Sequence, residues 1–430
     1  MNASSLFAAS APVHADRHFF DEHHVLLPNG NRVYALTEDA RRRLETGELD
    51  LAAPPYIGEN EVPESPPLRA ISLAVAQKCN LGCTYCYAQQ GEFGGAAKNM
   101  PLDVALRAVD LLFRDAGPGD RVNVAFLGGE PLFNRPVLQA ATEHACRLAG
   151  ERGAQATFSI TTNGTLLRAE DADFFEEHRF AVTISVDGIG ETHDCLRPTR
   201  SGRGSFDTLL AHVTPLLEAQ RAMQVSARVT VTPHNLALPE TLDALIGLGF
   251  HSVGFSPMLR SPSGADELSH DDLATMLDGM VACGEAFERA VLDGRRYPFA
   301  NAVNALREIH RGTHRPYPCG AGAGYLGVSA DGELASCHRF VGDADGAMGD
   351  VDRGIDRQAQ ETWLRERHVH SQEPCNTCWA RYLCGGGCHH EVIRRGRPAC
   401  DYIRGWLHYC LGAYVRLLAQ RPEWFGAAPS

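Results

Sequence analysis

Lys78-Cys79-Asn80-Leu81-Gly82-Cys83-Thr84-Tyr85-Cys86-Tyr87 is the stretch on which the reading of this chain turns. Its cysteines are spaced Cys-x-x-x-Cys-x-x-Cys, which offers three thiolates to one face of a cubane [4Fe–4S] cluster. Most such clusters take four cysteines. Three leave one iron open, and an open iron binds a substrate or a cofactor. Zinc is the competing reading, because soft thiolates suit it too. Histidine partners at finger spacing are missing nearby, which counts against it.

Outward from the triplet, strand-like and helix-like runs alternate. The strand-like runs are 71–76, 122–127, 156–161, 181–186, 225–231 and 252–255. Helix-like segments fall at 102–114, 136–151, 169–177, 206–221, 239–248 and 271–292. Apolar strands separated by amphipathic helices predict a parallel sheet with helices outside it. Six such units are too few for a closed eight-stranded barrel. The expected α/β fold is therefore an open, partial (β/α)6 barrel of the TIM type over residues 67–300. Residues 1–66 read as a small N-terminal α+β segment: a tail over 1–15, two short extended runs joined by Pro28-Asn29-Gly30-Asn31, a helix capped by Thr37, and a proline-rich linker over 53–67. From about 301 the alternation stops, glycine and cysteine become frequent, and secondary structure is expected to be sparse.

The 430 residues carry a net charge of −13. That balance argues against general nucleic-acid binding, which needs basic patches. No apolar run approaches a membrane span, and the first residues lack the positive start of a secretory signal. Fourteen cysteines in a chain of this length then point to metal clusters in a reducing, cytoplasmic compartment rather than to a disulfide framework.

In parallel α/β folds ligands bind at the carboxyl ends of the strands. The triplet follows the first strand. Gly128-Gly129-Glu130-Pro131 follows the second, where two glycines would let backbone approach a ligand and a carboxylate could hold an ammonium group. Thr161-Thr162-Asn163-Gly164 follows the third and Ser185-Val186-Asp187-Gly188 the fourth, while Arg228 and Thr230 lie on the fifth. Each cluster alone is ordinary turn chemistry. Four in succession around a cysteine triplet form a site.

These motifs resemble the radical S-adenosylmethionine superfamily. The resemblance implies that Cys79, Cys83 and Cys86 hold a [4Fe–4S] cluster whose open iron binds S-adenosylmethionine. It further implies that Gly128, Gly129 and Glu130 bind the methionine amino group and that Tyr85 packs on adenine. Thr162, Asn163, Ser185 and Arg228 fall where members of the family contact ribose or carboxylate.

A second cysteine group follows: Cys319, Cys337, Cys375, Cys378, Cys384, Cys388, Cys400 and Cys410. Eight cysteines in this order make a zinc ribbon improbable. The order resembles the SPASM extension over 301–430, which carries two auxiliary [4Fe–4S] clusters. By that pattern Cys319, Cys337 and Cys388 hold the first cluster and Cys375, Cys378 and Cys384 the second. Cys410 is expected to complete the second, with Cys400 as the competitor. Many relatives place another cysteine shortly after the one matching Cys319, but residues 320–326 hold none. The first auxiliary cluster is then closed by Cys400 or keeps an open iron. Gly385-Gly386-Gly387 serves the unusual backbone around a cluster, Trp379, Arg381 and Tyr382 pack or cover, and no chemistry is assigned to His389, His390 and Glu391.

Between residues 60 and 410 the chain is most similar to peptide-modifying members, including thioether-forming maturases and maturases of quinohemoprotein amine dehydrogenase. The implied reaction cross-links a ribosomally made peptide or protein through sulfur, oxygen or carbon, with electrons from a flavodoxin- or ferredoxin-type reductant. Sulfatase-type oxidation of a Cys or Ser side chain and radical oxidation of a small molecule are the alternatives. An electron carrier or zinc scaffold would leave the strand-end residues without a role.

Overall fold

Five of the six central strands alternate between two kinds of side chain, and the first, Ala70–Gln77, is buried along almost all of its length. Ile71, Leu73 and Val75, Val124 and Phe126, Val182 and Ile184, and Val225 and Val229 are all fully buried under the helices. The residues between them, such as Asn123, Ser159, Thr161, Thr183, Ser185 and Thr230, are half-buried and face the other way. Those five are thus half polar, whereas the first is nearly continuously apolar. The sheet coils so that its polar face becomes the inner wall of a trough.

The computed structural model describes residues 16–50 and 62–426. The tail and part of the linker expected from sequence lie outside the described residues. The N-terminal segment forms an antiparallel sheet of β1 (His18–Phe19), β2 (His24–Leu27) and β3 (Arg32–Ala35), with Asn31 left-handed at the turn. The helix Glu38–Glu45 follows, its Thr37 side chain accepting from the Ala40 N–H at 3.2 Å.

The barrel strands are β4 (Ala70–Gln77), the short antiparallel β5 (Lys98–Asn99) beside it, β6 (Arg121–Gly128), β7 (Gln155–Thr162), β8 (Ala181–Ser185), β9 (Gln224–Val231) and β10 (Ser252–Pro257). Their order is β10-β9-β8-β7-β6-β4, every neighbouring pair parallel. Helices fall within two residues of the expected positions.

Beyond residue 300 the structure is richer than composition suggested. β11 (Tyr325–Val328) pairs parallel with β4, and β12 (Glu333–Ala335), β13 (Ala347–Asp350) and β14 (Gly354–Ile355) extend the same sheet. Helix Ala300–Arg311 packs on β10, and helix Cys400–Gln420 packs along helix His270–Leu292. The cysteine-rich region is therefore continuous with the barrel through one sheet and one hydrophobic core. Trp379 and Arg381 tie the N-terminal sheet to this region: Trp379 stacks on His18 with ring centroids 3.6 Å apart, and Arg381, which also lines the pocket of Cys375, Cys378, Cys384 and Cys400, donates to Asn29 at 2.6 Å.

Candidate active site

All six barrel strands end at one cavity of about 400 Å3. The cluster loop closes its near side: Cys79, Cys83 and Cys86 line it, as do Gly128, Gly129, Ser185, Arg228 and Met258.

The loop is fixed from three directions. Segment 196–203 runs beside it as a strap. Gly82 N–H donates to the Pro198 carbonyl at 2.8 Å, Arg200 N–H to the Asn80 carbonyl at 3.2 Å, and Leu81 bridges Thr199. Under the loop, Asp187 is fully buried and accepts three donors. They are the Arg197 Nε–H at 2.7 Å, the Thr230 N–H at 2.8 Å and the Tyr85 hydroxyl. The third support is a close approach of backbones. A Cβ on Gly128, whose φ is +145°, would lie 2.3 Å from the Ala76 carbonyl oxygen, and one on Gly129 2.3 Å from that of Lys78. The two glycines are required by the strand and loop beside them, a different reason from ligand approach.

The sulfurs receive N–H donors. Cys79 Sγ accepts from the Leu81 N–H at 3.4 Å and the Asn163 amide at 3.6 Å, and Cys83 Sγ from Arg197 at 3.7 Å. Burial pushes the Cys79 thiol up to about 11 and the Cys83 thiol up to about 12, and each is raised further by the neighbouring cysteines. Three half-buried cysteines on one loop, with N–H groups aimed at Cys79 and Cys83, are a donor set suited to iron, which takes thiolates and favours N–H···S contacts. All fourteen cysteines are free thiols. Among the described residues no three His, Cys, Asp or Glu side chains converge to hold a single metal ion.

The expected cofactor contacts divide. Ser185 and Arg228 present side chains to the cavity with no partner among the described residues. Burial lowers the pKa of Arg228, as does the nearby Arg339. Thr162 and Asn163 line the wall and are bonded within the protein: the Glu130 carboxylate accepts from Thr162 Oγ1 at 2.7 Å, Asn163 N–H at 2.8 Å and Leu132 N–H at 3.1 Å, while the Asn163 side-chain amide donates to Asn80 at 3.0 Å and its oxygen accepts from Thr165. Burial pushes the Glu130 carboxyl above its ordinary range and those donors oppose it. Fully buried, the Glu130 side chain ties β6 to β7. Tyr85 lines the cavity, with Arg197 over its ring and its hydroxyl committed to Asp187.

Arg197 escaped the sequence reading because no motif surrounds it. A single cation beyond a turn gives no signal until the fold brings it to Asp187 and Cys83.

The far wall of the cavity comes from the cysteine-rich region, through His338, Arg339 and Glu391. Behind it the remaining cysteines sort into two groups. Cys375, Cys378, Cys384 and Cys400 line one largely apolar pocket, which Cys388 also reaches. Cys319, Cys337 and Cys388 lie together: burial pushes the Cys337 thiol up to about 12, with Cys388 and Cys319 adding to it, and burial followed by Cys388 raises the Cys319 thiol. Arg339 donates to Cys388 Sγ at 3.8 Å. Cys410 belongs to neither group. It sits mid-helix in the core, 1% exposed, against Glu288 and Arg416, whereas Cys400 at the start of that helix lines the pocket with Cys375, Cys378 and Cys384. Gly385, Gly386 and Gly387 all have positive φ, and a Cβ on Gly385 would lie 2.4 Å from the Tyr317 backbone, two residues before Cys319. His389 packs edge-on to Trp363 and His390 to Phe340, so the His-His-Glu run is split by packing.

Residues 73–245 match the radical SAM superfamily. The serine-type anaerobic sulfatase-maturating enzyme of Klebsiella aerogenes is 26% identical over 362 residues, 80% of this chain and 85% of the relative. The radical SAM cyclopropyl synthase TigE of Paramaledivibacter caminithermalis is 20% identical over 407 residues, 90% of this chain and 80% of the relative. In fold, the chain resembles native anSMEcpe with bound AdoMet, with TM-score 0.67 and 19% identity over 82% of this chain and 98% of the other. No described helix is long and apolar enough to cross a membrane. The cysteine loop at the mouth of an open parallel barrel thus has its explanation: this chain is a radical S-adenosylmethionine enzyme, with a [4Fe–4S] cluster and S-adenosylmethionine as its cofactors, related to the anaerobic sulfatase-maturating enzymes.

Proposed function

We propose that the enzyme modifies a peptide or protein, removing hydrogen from one residue and joining it to a second through sulfur, oxygen or carbon. One observation carries this reading. The cavity is walled on one side by the cluster loop and on the other by His338, Arg339 and Glu391, with Cys337 and Cys388 directly behind. A residue held there lies between two cysteine groups. The fold relative anSMEcpe has been solved with both AdoMet and a peptide bound, at TM-score 0.65 and 20% identity.

In this reading Cys79, Cys83 and Cys86 hold the cluster that binds S-adenosylmethionine. Cys375, Cys378, Cys384 and Cys400 hold one auxiliary cluster. Cys319, Cys337 and Cys388 hold another, with one corner lacking a cysteine. When bound, the first cluster and S-adenosylmethionine supply a hydrogen-abstracting 5′-deoxyadenosyl radical. Every other contribution belongs to the chain. Ser185 and Arg228 offer a hydroxyl and a cation to the ribose and carboxylate. The Asp187–Arg197–Tyr85 network holds the loop, and the barrel wall excludes water from the radical.

Cross-linking removes two hydrogens from the substrate, one as an atom and one as a proton. One electron remains, and the auxiliary sites beyond Arg339 are positioned to take it. An external flavodoxin- or ferredoxin-type protein supplies the electron that starts the cycle. Sulfatase-type oxidation of a Cys or Ser side chain has the same electron count, and the match to the Klebsiella enzyme across most of both chains favours it as the second reading.

The test is to incubate the anaerobically reconstituted enzyme with peptides encoded beside its gene and weigh the products. Loss of two hydrogens with no carbonyl trapped by a hydrazide supports cross-linking. A trapped carbonyl supports the second reading. Unchanged mass across all the peptides overturns both.

A further inference from the structure

A second cleft opens beside the active cavity and shares two wall residues with it, Tyr87 and Arg339. It has a volume of about 350 Å3 and a mostly polar lining. Its donors exceed its acceptors. Arg260 lines it with no hydrogen-bond or ion-pair partner for its guanidinium among the described residues. His390 Nδ1 and Arg339 Nε, from two other lining residues, are buried without partners. The carboxylate present, Asp343, is already spent: it accepts from Arg394 and from the Asp345 N–H at 3.0 Å. The cleft therefore holds an uncompensated cation in a protein whose net charge is −13.

Arg260 is also held in place. It follows β10, whose last residues line the active cavity. On one side, Arg395 donates to the Leu259 carbonyl and pairs with Glu267 at 3.2 Å. On the other, the Ser261 N–H donates to Glu267 at 2.9 Å and its hydroxyl to the Ala265 carbonyl at 2.6 Å. Below, the Leu268 N–H donates to the Met258 carbonyl at 2.9 Å. Its backbone is thus fixed at the cavity rim while its charged end is left unused. Holding an unpaired guanidinium in place favours a carboxylate ligand, which it binds through two parallel N–H···O bonds.

We propose that this cleft is a specificity subsite that takes an acidic side chain, Asp or Glu, of the peptide whose neighbouring residue reacts in the main cavity. This rests on the peptide-modifying reading above. Arg260 clamps the carboxylate, and the unspent donors of His390 and Arg339 complete its shell. The Tyr87–Arg339 stack, with the guanidinium 5.2 Å from the ring centroid, is the partition the peptide crosses between the two sites. Arg260 is a binding residue, with no part in hydrogen abstraction.

The experiment uses the full-length reconstituted enzyme, loaded with S-adenosylmethionine, to select from a displayed library of random decapeptides under anaerobic conditions. The wild-type protein is expected to enrich Asp and Glu at one position about tenfold, the scale of one charge-assisted bidentate contact. Arg260→Glu is expected to replace that enrichment with Lys and Arg at the same position, with iron content checking that the variant is folded. Acidic enrichment that persists in Arg260→Glu, or selected peptides with no charge preference, overturns the subsite. Failure to enrich any peptide over the bare support, while S-adenosylmethionine stays bound, overturns the peptide reading itself.

Discussion

The two cysteine regions are built in opposite ways. The first packs three cysteines into eight consecutive residues, and the barrel holds that loop by a strap, a buried ion pair and two glycines. The second draws seven cysteines from Cys319 to Cys400 and wraps the chain around them with three consecutive left-handed glycines. In the first, a short local loop is fixed by its contacts with the barrel. In the second, long-range chain closure does the work, because so much backbone must converge. The difference teaches where each region should break.

The largest effect separates Cys400 from Cys410. Cys400→Ala should lose about four irons per chain, one cubane. Cys410→Ala should keep them all and cost only about 1–2 kcal/mol, as a small core cavity does. Iron assay and thermal unfolding read the two outcomes. Equal iron loss in both would merge the core and the cluster site and undo the sorting.

Next is the buried pair beneath the first region. Asp187 is fully buried and Arg197 nearly so. Arg197→Met leaves an unpaired buried carboxylate and should cost about 3–5 kcal/mol. It should also remove the donor on Cys83. Urea unfolding measures the first, and the reduction potential of the loop's cluster should fall with the second. An unchanged potential would reduce Arg197 to a structural tie.

Glycines give the third comparison. Gly128→Ala meets the Ala76 carbonyl and Gly385→Ala the Tyr317 backbone, both well inside contact distance. Each should cost roughly 2–4 kcal/mol. The Gly128 variant should disturb S-adenosylmethionine binding and the Gly385 variant iron retention at the C-terminal sites. Calorimetric titration and iron assay distinguish them.

How much of this was legible depended on how locally each feature is encoded. Strands and helices carried their own periodicity, and the triplet carried its own spacing. The strand-end motifs marked the site, but Glu130 and the glycines beside it serve the packing of β6, β7 and the loop, which a motif does not reveal. Arg197 and Asp187 meet only because a turn and a short helix, Glu191–Leu196, fold between them. Cys400 and Cys410 lie on one helix almost three turns apart, so sequence order could not decide between them. The helix start put one in the cluster pocket and the other in the core.

The smallest effect concerns the N-terminal sheet. His18 is buried against Trp379 and His408, and burial, with the His408 charge second, lowers its pKa to about 3. The docked histidine stays neutral, whereas a released one titrates near its ordinary value of about 6.5. Docking is therefore strongest above about 6.5 and weakens as pH falls towards about 3. Limited proteolysis within residues 16–50 should speed up between neutral pH and pH of about 5, and His18→Phe should flatten the dependence.

The most direct measurement is the cleavage of S-adenosylmethionine by the reconstituted protein under a low-potential reductant, followed by chromatography. The account predicts 5′-deoxyadenosine from the wild-type chain and none from Cys83→Ala. A wild-type protein that carries its full iron yet forms none, or a Cys83→Ala variant that forms as much, would contradict it.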